Sequence, residues 1–182
     1  GKSVSDNFLI AWIFGHDIDS DVIKVFGNRY NCERAFNTII ELMCNEKYAK
    51  VFPYYKQFGG RKDNIFEICK ASDGTFKITG TKKPTNFLCV GKESKISGVR
   101  TKYFFLDDIT QAEDAGKISA HDKDINTYQT VWSKRFYSSE NSHLIVGGTT
   151  YSQFDILTYL KKKFNIEGSV QSRVNKYTRV AT

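Results

Sequence analysis

The chain has 182 residues, enough for one domain with a sizeable core, and is 40% hydrophobic and 26% charged, the balance of a globular protein. Its longest apolar run, FLIAWIF, is too short to span a bilayer. A net charge of +7 favours a polyanionic partner such as nucleic acid or nucleotide, although a merely basic surface gives the same sum.

The chain opens on Gly1, Lys2 and Ser3. These match the last three positions of the phosphate-loop motif G-x-x-x-x-G-K-[ST], a triplet that is also common by chance. Residues 4–14 read as a helix with Val4, Phe8, Leu9, Trp12 and Ile13 on its apolar face, ended by Gly15. VIKVFG (22–27) is a β-branched strand, and Asn28 or Asn31 can cap the helix after it, whose apolar face carries Ala35, Phe36, Ile39, Ile40 and Met43. Residues 64–80 read as a hairpin around Asp73-Gly74, and 85–91 as a further strand. KYFFLDD (102–108) is an apolar strand ending in two carboxylates. A helix is expected near 121–138, a buried strand at 143–149 and a helix at 152–164 whose terminal lysines suit its dipole. The tail offers one more strand. Strands alternating with helices predict a mainly parallel α/β sheet with a β-hairpin insertion. Four cysteines without a C-x-x-C pair, and three scattered histidines, argue against zinc and for buried free thiols.

The chemistry concentrates at strand ends. An apolar strand that delivers Asp107 and Asp108 at its carboxyl end has the form of a Walker B element: Asp107 to hold Mg²⁺ and Asp108 to polarise the attacking water. The alternative is a buried strand followed by an acidic loop. In the same frame Lys2 would contact the β/γ-phosphates and the Ser3 hydroxyl would ligate Mg²⁺, with the helix after them aiming its positive end at the phosphates. Gly147, Gly148 and Thr149 follow the next core strand, where a polar group can sense the γ-phosphate; in isolation a simple glycine turn before a helix is the better explanation.

In order and spacing these segments resemble the ATPase domain of the large terminase subunit of tailed bacteriophages. The likeness runs through GKSVSDNFLIAW, VIKVFGNRYNCERAFNTIIELMCNEKYAKVFP, ISGVRTKYFFLDDITQAEDA and HLIVGGTTYSQFD. It implies a P-loop NTPase fold of the RecA/ASCE-like kind, with the first strand and most of the P-loop absent from the chain and no room for the family's nuclease domain. It implies ATP and Mg²⁺ as cofactors, with Gly1, Lys2 and Ser3 binding nucleotide and Ser3 and Asp107 the metal. Asp108 and Thr149 would serve hydrolysis and coupling, with Asp155 closing the coupling motif. Arg100 would be an arginine finger reaching a neighbouring subunit, with Arg29 and Arg34 as weaker candidates. The implied activity is ATP hydrolysis driving double-stranded DNA into a prohead in the bacterial host cytoplasm. The implied partners are a portal protein, a small terminase subunit and copies of the chain in a ring, with no membrane. The chain alone is expected to be inactive.

The sequence departs from the family in having Asp108 where a Glu is usual. Glu113, Asp114, Asp122 and Asp124 read as a solvated loop and helix start. Two other readings stand beside the motor: a helicase-like ATPase, and a non-catalytic nucleic-acid-binding module in which FKITGTKKPTNF stacks Phe76 and Phe87 on bases.

Overall fold

The computed structural model describes residues 2–52, 68–70, 75–78, 85–137, 141–165 and 178–181. Helix α1 (Lys2–His16) leads into strand β1 (Val22–Phe26), then α2 (Arg29–Met43) and α3 (Glu46–Val51). Strands β2 (Ile68–Lys70), β3 (Thr75–Ile78), β4 (Phe87–Gly91) and β5 (Tyr103–Asp107) follow. Helix α4 (Ile118–Thr130), β6 (His143–Gly147), α5 (Ile156–Lys163) and β7 (Thr178–Ala181) complete the chain. One sheet runs in the order β2-β3-β4-β1-β5-β6-β7. The five strands from β4 to β7 along that order are parallel, and β2 and β3 form an antiparallel margin. The expected hairpin is therefore present, while its Asp73-Gly74 turn lies outside the described residues.

Strand alternation sorts the core into two layers. Val22, Phe26, Phe87, Cys89, Phe105 and Ile145 pack on one face with α1 and α2. Ile23, Val25, Leu88, Phe104, Leu106, Leu144 and Val146 pack on the other with Tyr128 and Trp132 and with Ile156, Leu157 and Leu160 of α5. Both faces are covered, which is why these strands read as near-continuous apolar runs.

Several expectations need correction. In α1 the buried face carries Asp6, Asn7, Ile10, Ala11, Ile13 and Phe14, whereas Val4, Phe8 and Trp12 are about half exposed. Residues 8–14 are apolar on every side of the helix, so periodicity cannot choose the inner face there; packing with β1 and α2 does, and it takes the polar Asp6 and Asn7 inward. Phe87 is fully buried and stacks on Phe36, so it cannot stack on a base; the Phe76 side chain lies outside the described residues. Asn28, not Asn31, caps α2, its side chain accepting the Asn31 N–H at 2.9 Å. The helix expected over 121–138 is α4 followed by a 3-10 turn at 132–135. Cys32 and Cys89 are buried, but Cys44 is exposed just past α2.

Candidate nucleotide and metal site

The parallel strands all deliver their carboxyl ends to one edge, and α1 starts there. Register pairs Phe26 of β1 with Asp107 of β5, and Asp107 with Gly147 of β6. Asp107 shares the phase of Tyr103 and Phe105, so its side chain faces α1. The Ser3 hydroxyl of the first turn of α1 donates to Asp107 Oδ1 at 3.2 Å across 104 residues of sequence. Ser3 and Asp107 thus meet at the edge where both were expected. The Gly1 residue and the Lys2 side chain lie outside the described residues.

A third group completes this cluster, and the sequence reading missed it. Lys24 sits in the middle of β1 in phase with Val22 and Phe26, and its side chain is fully buried. Its Nζ lies 3.1 Å from Asp107 Oδ2 and donates to Asn7 Oδ1 of α1 at 3.0 Å. Asp107 Oδ2 has that ion pair but no aligned hydrogen bond among the described residues. Its acceptor capacity is therefore not used up. The available signal was the lysine itself: a charge inside a strand covered on both faces requires a buried carboxylate.

Glycines shape the edge. A Cβ on Gly27, directly after β1, would overlap the Asp108 carbonyl oxygen and the Gln111 amide, and would stand 2.8 Å from the Ile109 carbonyl oxygen. Gln111 holds this turn together: its Nε2 donates to the Asp108 carbonyl at 2.6 Å, and the Asn28 amide donates to its Oε1 at 3.3 Å. A Cβ on Gly147 would come 3.2 Å from Asp6 Oδ2 and 3.5 Å from Asp107 Oδ1. This glycine leaves room for two carboxylates and is a strand residue, not a turn.

Asp108 is held with φ of 46°, in the left-handed region that few non-glycine residues adopt. Its N–H donates to the Gly147 carbonyl at 3.0 Å. The bend turns Asp108 out of the strand phase, so the two adjacent carboxylates separate: Asp107 is buried and Asp108 half-buried. Strained backbone of this kind costs about 1–3 kcal/mol and persists where the surroundings over-determine it.

The remaining expected residues scatter. Thr149 is exposed beyond β6, on the same edge as Asp108. Asp155 is a structural cap: fully buried, it accepts the N–H groups of Tyr151 and Thr158 at 2.8 Å each and starts α5. Arg100 is exposed at the opposite, amino-terminal edge, next to Thr101, whose hydroxyl donates to the Asp21 carbonyl before β1. At about 3.3 Å per residue, the length of β5 keeps Arg100 roughly 15 Å or more from Asp107 of its own chain. Arg29 and Arg34 are exposed on α2, and Arg29 pairs with Glu33. Asp124 is not solvated: it is buried against Lys92, which follows β4, at 3.1 Å, and Asp114 lies 3.7 Å from the same ammonium. No group of three or more His, Cys, Asp or Glu among the described residues could hold a metal by itself.

No protein-family model and no curated protein sequence matches the chain. Among solved structures, it is similar to the N-terminal domain of the DNA packaging ATPase from bacteriophage phi29, at 14% identity and a TM-score of 0.54, covering 99% of this chain and 81% of that one. The bacteriophage HK97 large terminase is similar at 16% identity and a TM-score of 0.49, covering 90% of this chain and 28% of that one. The chain has an α/β fold with a mainly parallel sheet, similar to that of the N-terminal domain of the phi29 DNA packaging ATPase.

Proposed function

We propose that this chain carries the ATPase site of a motor that packages double-stranded viral DNA. The observation that carries the reading is the Ser3–Asp107 contact, which joins a Gly-Lys-Ser helix start to an Asp-Asp strand end at the carboxyl edge of a parallel sheet. Open α/β sheets bind their ligands at that edge. Ser3 Oγ and Asp107 are hard oxygen donors of the type that hold Mg²⁺, which takes one or two protein oxygens and completes its shell with water and phosphate oxygens. Asp107 Oδ2, ion-paired with Lys24 but without an aligned hydrogen bond among the described residues, fits that division.

In this reading Lys2 engages the β/γ-phosphates, with Gly1 allowing close backbone approach. Ser3 and Asp107 would hold Mg²⁺, whose charge would offset that of the phosphates. Asp108, turned out of the strand by its left-handed backbone, orients the attacking water and accepts its proton. Thr149 lies on the next strand end, where it couples loss of the γ-phosphate to movement. Arg100 is too far from its own carboxylates to act in the same subunit, so an arginine-finger role requires a neighbour in a ring. Partners of this motor are double-stranded DNA, a portal protein and a small terminase subunit in the host cytoplasm. No described helix is long and apolar enough to cross a membrane.

In the natural full-length protein, Asp108→Asn should keep ATP binding and lower turnover by about 10²–10⁴-fold, because it removes a general base while keeping volume and left-handed propensity. Ser3→Ala should raise the Mg²⁺ requirement of the same reaction. Arg100→Ala should slow only the assembled ring and leave subunit affinity for ATP unchanged. Wild-type turnover in both Asp108→Asn and Ser3→Ala would place hydrolysis elsewhere.

A further inference from the structure

Lys24 is a buried charge beside this edge whose cost the proposed reaction does not explain. A fully buried ammonium is expensive even when paired, and an apolar side chain of the same volume is commonly as stable or more so. Packing therefore gives no reason for a lysine in the middle of VIKVF. Its position gives one. Lys24 Nζ holds Asp107 Oδ2 at 3.1 Å while Ser3 holds Oδ1 at 3.2 Å, so the two oxygens of one carboxylate face different partners. Asn7 Oδ1 accepts from the ammonium at 3.0 Å, and the ring of Phe26 lies with its centroid 4.7 Å away. Enclosed in this way, the ammonium is a fixed charge, not a swinging one.

We propose that Lys24 is an internal counter-cation that denies Asp107 to a divalent metal alone and makes metal entry depend on the phosphates of a bound nucleotide. The inference rests on the reading of Ser3 and Asp107 as metal donors. A dication entering without nucleotide would gain the Ser3 hydroxyl and an Asp107 carboxylate that Lys24 already neutralises, with the Asp6 carboxylate beside it, and would meet a fixed positive charge a few ångströms away. Such like-charge repulsion is large at the low effective dielectric of a buried site. A polyphosphate brings several negative charges and reverses that balance, so metal and nucleotide enter together. Lys24 touches the carboxylate rather than the substrate, and acts as a positioning and selectivity residue.

The test uses the natural full-length protein and Mn²⁺ alone as probe, with free Mn²⁺ counted by electron paramagnetic resonance in the absence of nucleotide. Wild type should bind Mn²⁺ weakly. Lys24→Met should bind it about tenfold more tightly or better, since a full repelling charge is removed. Lys24→Arg should behave as wild type. The double variant Lys24→Met/Asp107→Asn should lose the gain, which assigns it to Asp107. A folded Lys24→Met protein with no gain overturns the proposal, as does tight Mn²⁺ binding by wild type without nucleotide. Should Lys24→Met not fold, wild-type melting decides: Mn²⁺ alone should leave Tm unchanged and Mn²⁺ with ATP should raise it, and equal shifts overturn the proposal. A gain in Mn²⁺ binding without any ATP hydrolysis sinks the motor reading and leaves this one standing; hydrolysis without the gain does the reverse.

Discussion

Two buried aspartates stand at opposite edges of the same pair of central strands. Asp21 precedes β1 at the amino-terminal edge, and Asp107 ends β5 at the carboxyl edge. The Asp21 Oδ1 accepts the Lys102 N–H at 2.6 Å, and its Oδ2 accepts the Tyr137 hydroxyl at 2.5 Å. Its carbonyl accepts from the Thr101 hydroxyl and the Tyr103 N–H. Short bonds from nearby backbone and one phenol reach both of its oxygens and tie the strand starts together. Asp107 instead has a long hydroxyl contact, a buried lysine, and an oxygen with no aligned hydrogen bond among the described residues. The difference distinguishes a structural joint from the proposed metal-holding carboxylate, which faces a buried charge.

The largest expected effect breaks the pairing of Asp107 with the fully buried Lys24. Asp107→Ala strands the Lys24 ammonium in the core and should cost about 3–5 kcal/mol of unfolding free energy. Asp21→Ala leaves a backbone N–H and a half-exposed phenol to find water, and should cost only about 1–3 kcal/mol. Removing both charges at once, as Lys24→Met/Asp107→Asn, should recover most of the larger loss. Urea unfolding of the three proteins measures all of this. Equal losses at the two aspartates would erase the distinction between joint and site.

The two edges were unequally legible in the sequence. An apolar strand ending in Asp107 and Asp108 is visible because hydrophobic runs and terminal carboxylates are local patterns. The amino-terminal joint is not, because Asp21, Thr101 and Tyr137 are brought together only by sheet register and by the chain after α4. Lys24 was overlooked although its strand was recognised: the run VIKVF reads as a strand whether its lysine points inward or outward until both neighbours in the sheet are known. Helix α1 is legible in the sequence but its buried face is not, since Phe8 and Trp12 lie in a run apolar on every side while the inward face also takes Asp6 and Asn7. Asp124 failed for the same reason as Lys24: its partner Lys92 is 32 residues away.

Glycines sharpen the contrast at intermediate cost. Gly27 at the carboxyl edge and Gly15 at the amino edge both lack room for a side chain. At Gly15 a Cβ would meet the Phe52 ring at 2.6 Å, a partly exposed side chain that can rotate away. At Gly27 it would meet the Asp108 and Ile109 carbonyl oxygens, backbone fixed by the β5–β6 register. Gly27→Ala should therefore cost about 1–3 kcal/mol or more, and displace Asp108. Gly15→Ala should cost less and leave nucleotide binding intact. Thermal melting together with ATP binding reads both. A mild Gly27→Ala with normal nucleotide binding would mean that the Asp108 bend is not held by this close approach.

The smallest effect concerns a third buried aspartate, Asp124, which sits on α4 against Lys92, the residue that follows β4. It resembles Asp107 in having a lysine partner, Lys92, with Asp114 and Glu93 nearby. Burial dominates there and pushes the Asp124 carboxyl above its ordinary range, against the pull of Lys92. A carboxyl with a raised value in the folded state stabilises the fold most when it is protonated. That contribution is complete below the unfolded value of about 3.9 and is lost as pH rises through the folded value. Asp124→Asn cannot ionise and keeps a carbonyl oxygen for Lys92. Relative to wild type, the variant should therefore gain stability between pH 4 and pH 7, read as a urea midpoint that moves in its favour. A shift toward wild type over that range would mean that the Lys92 pair outweighs desolvation, making Asp124 a charge-paired joint like neither of the other two.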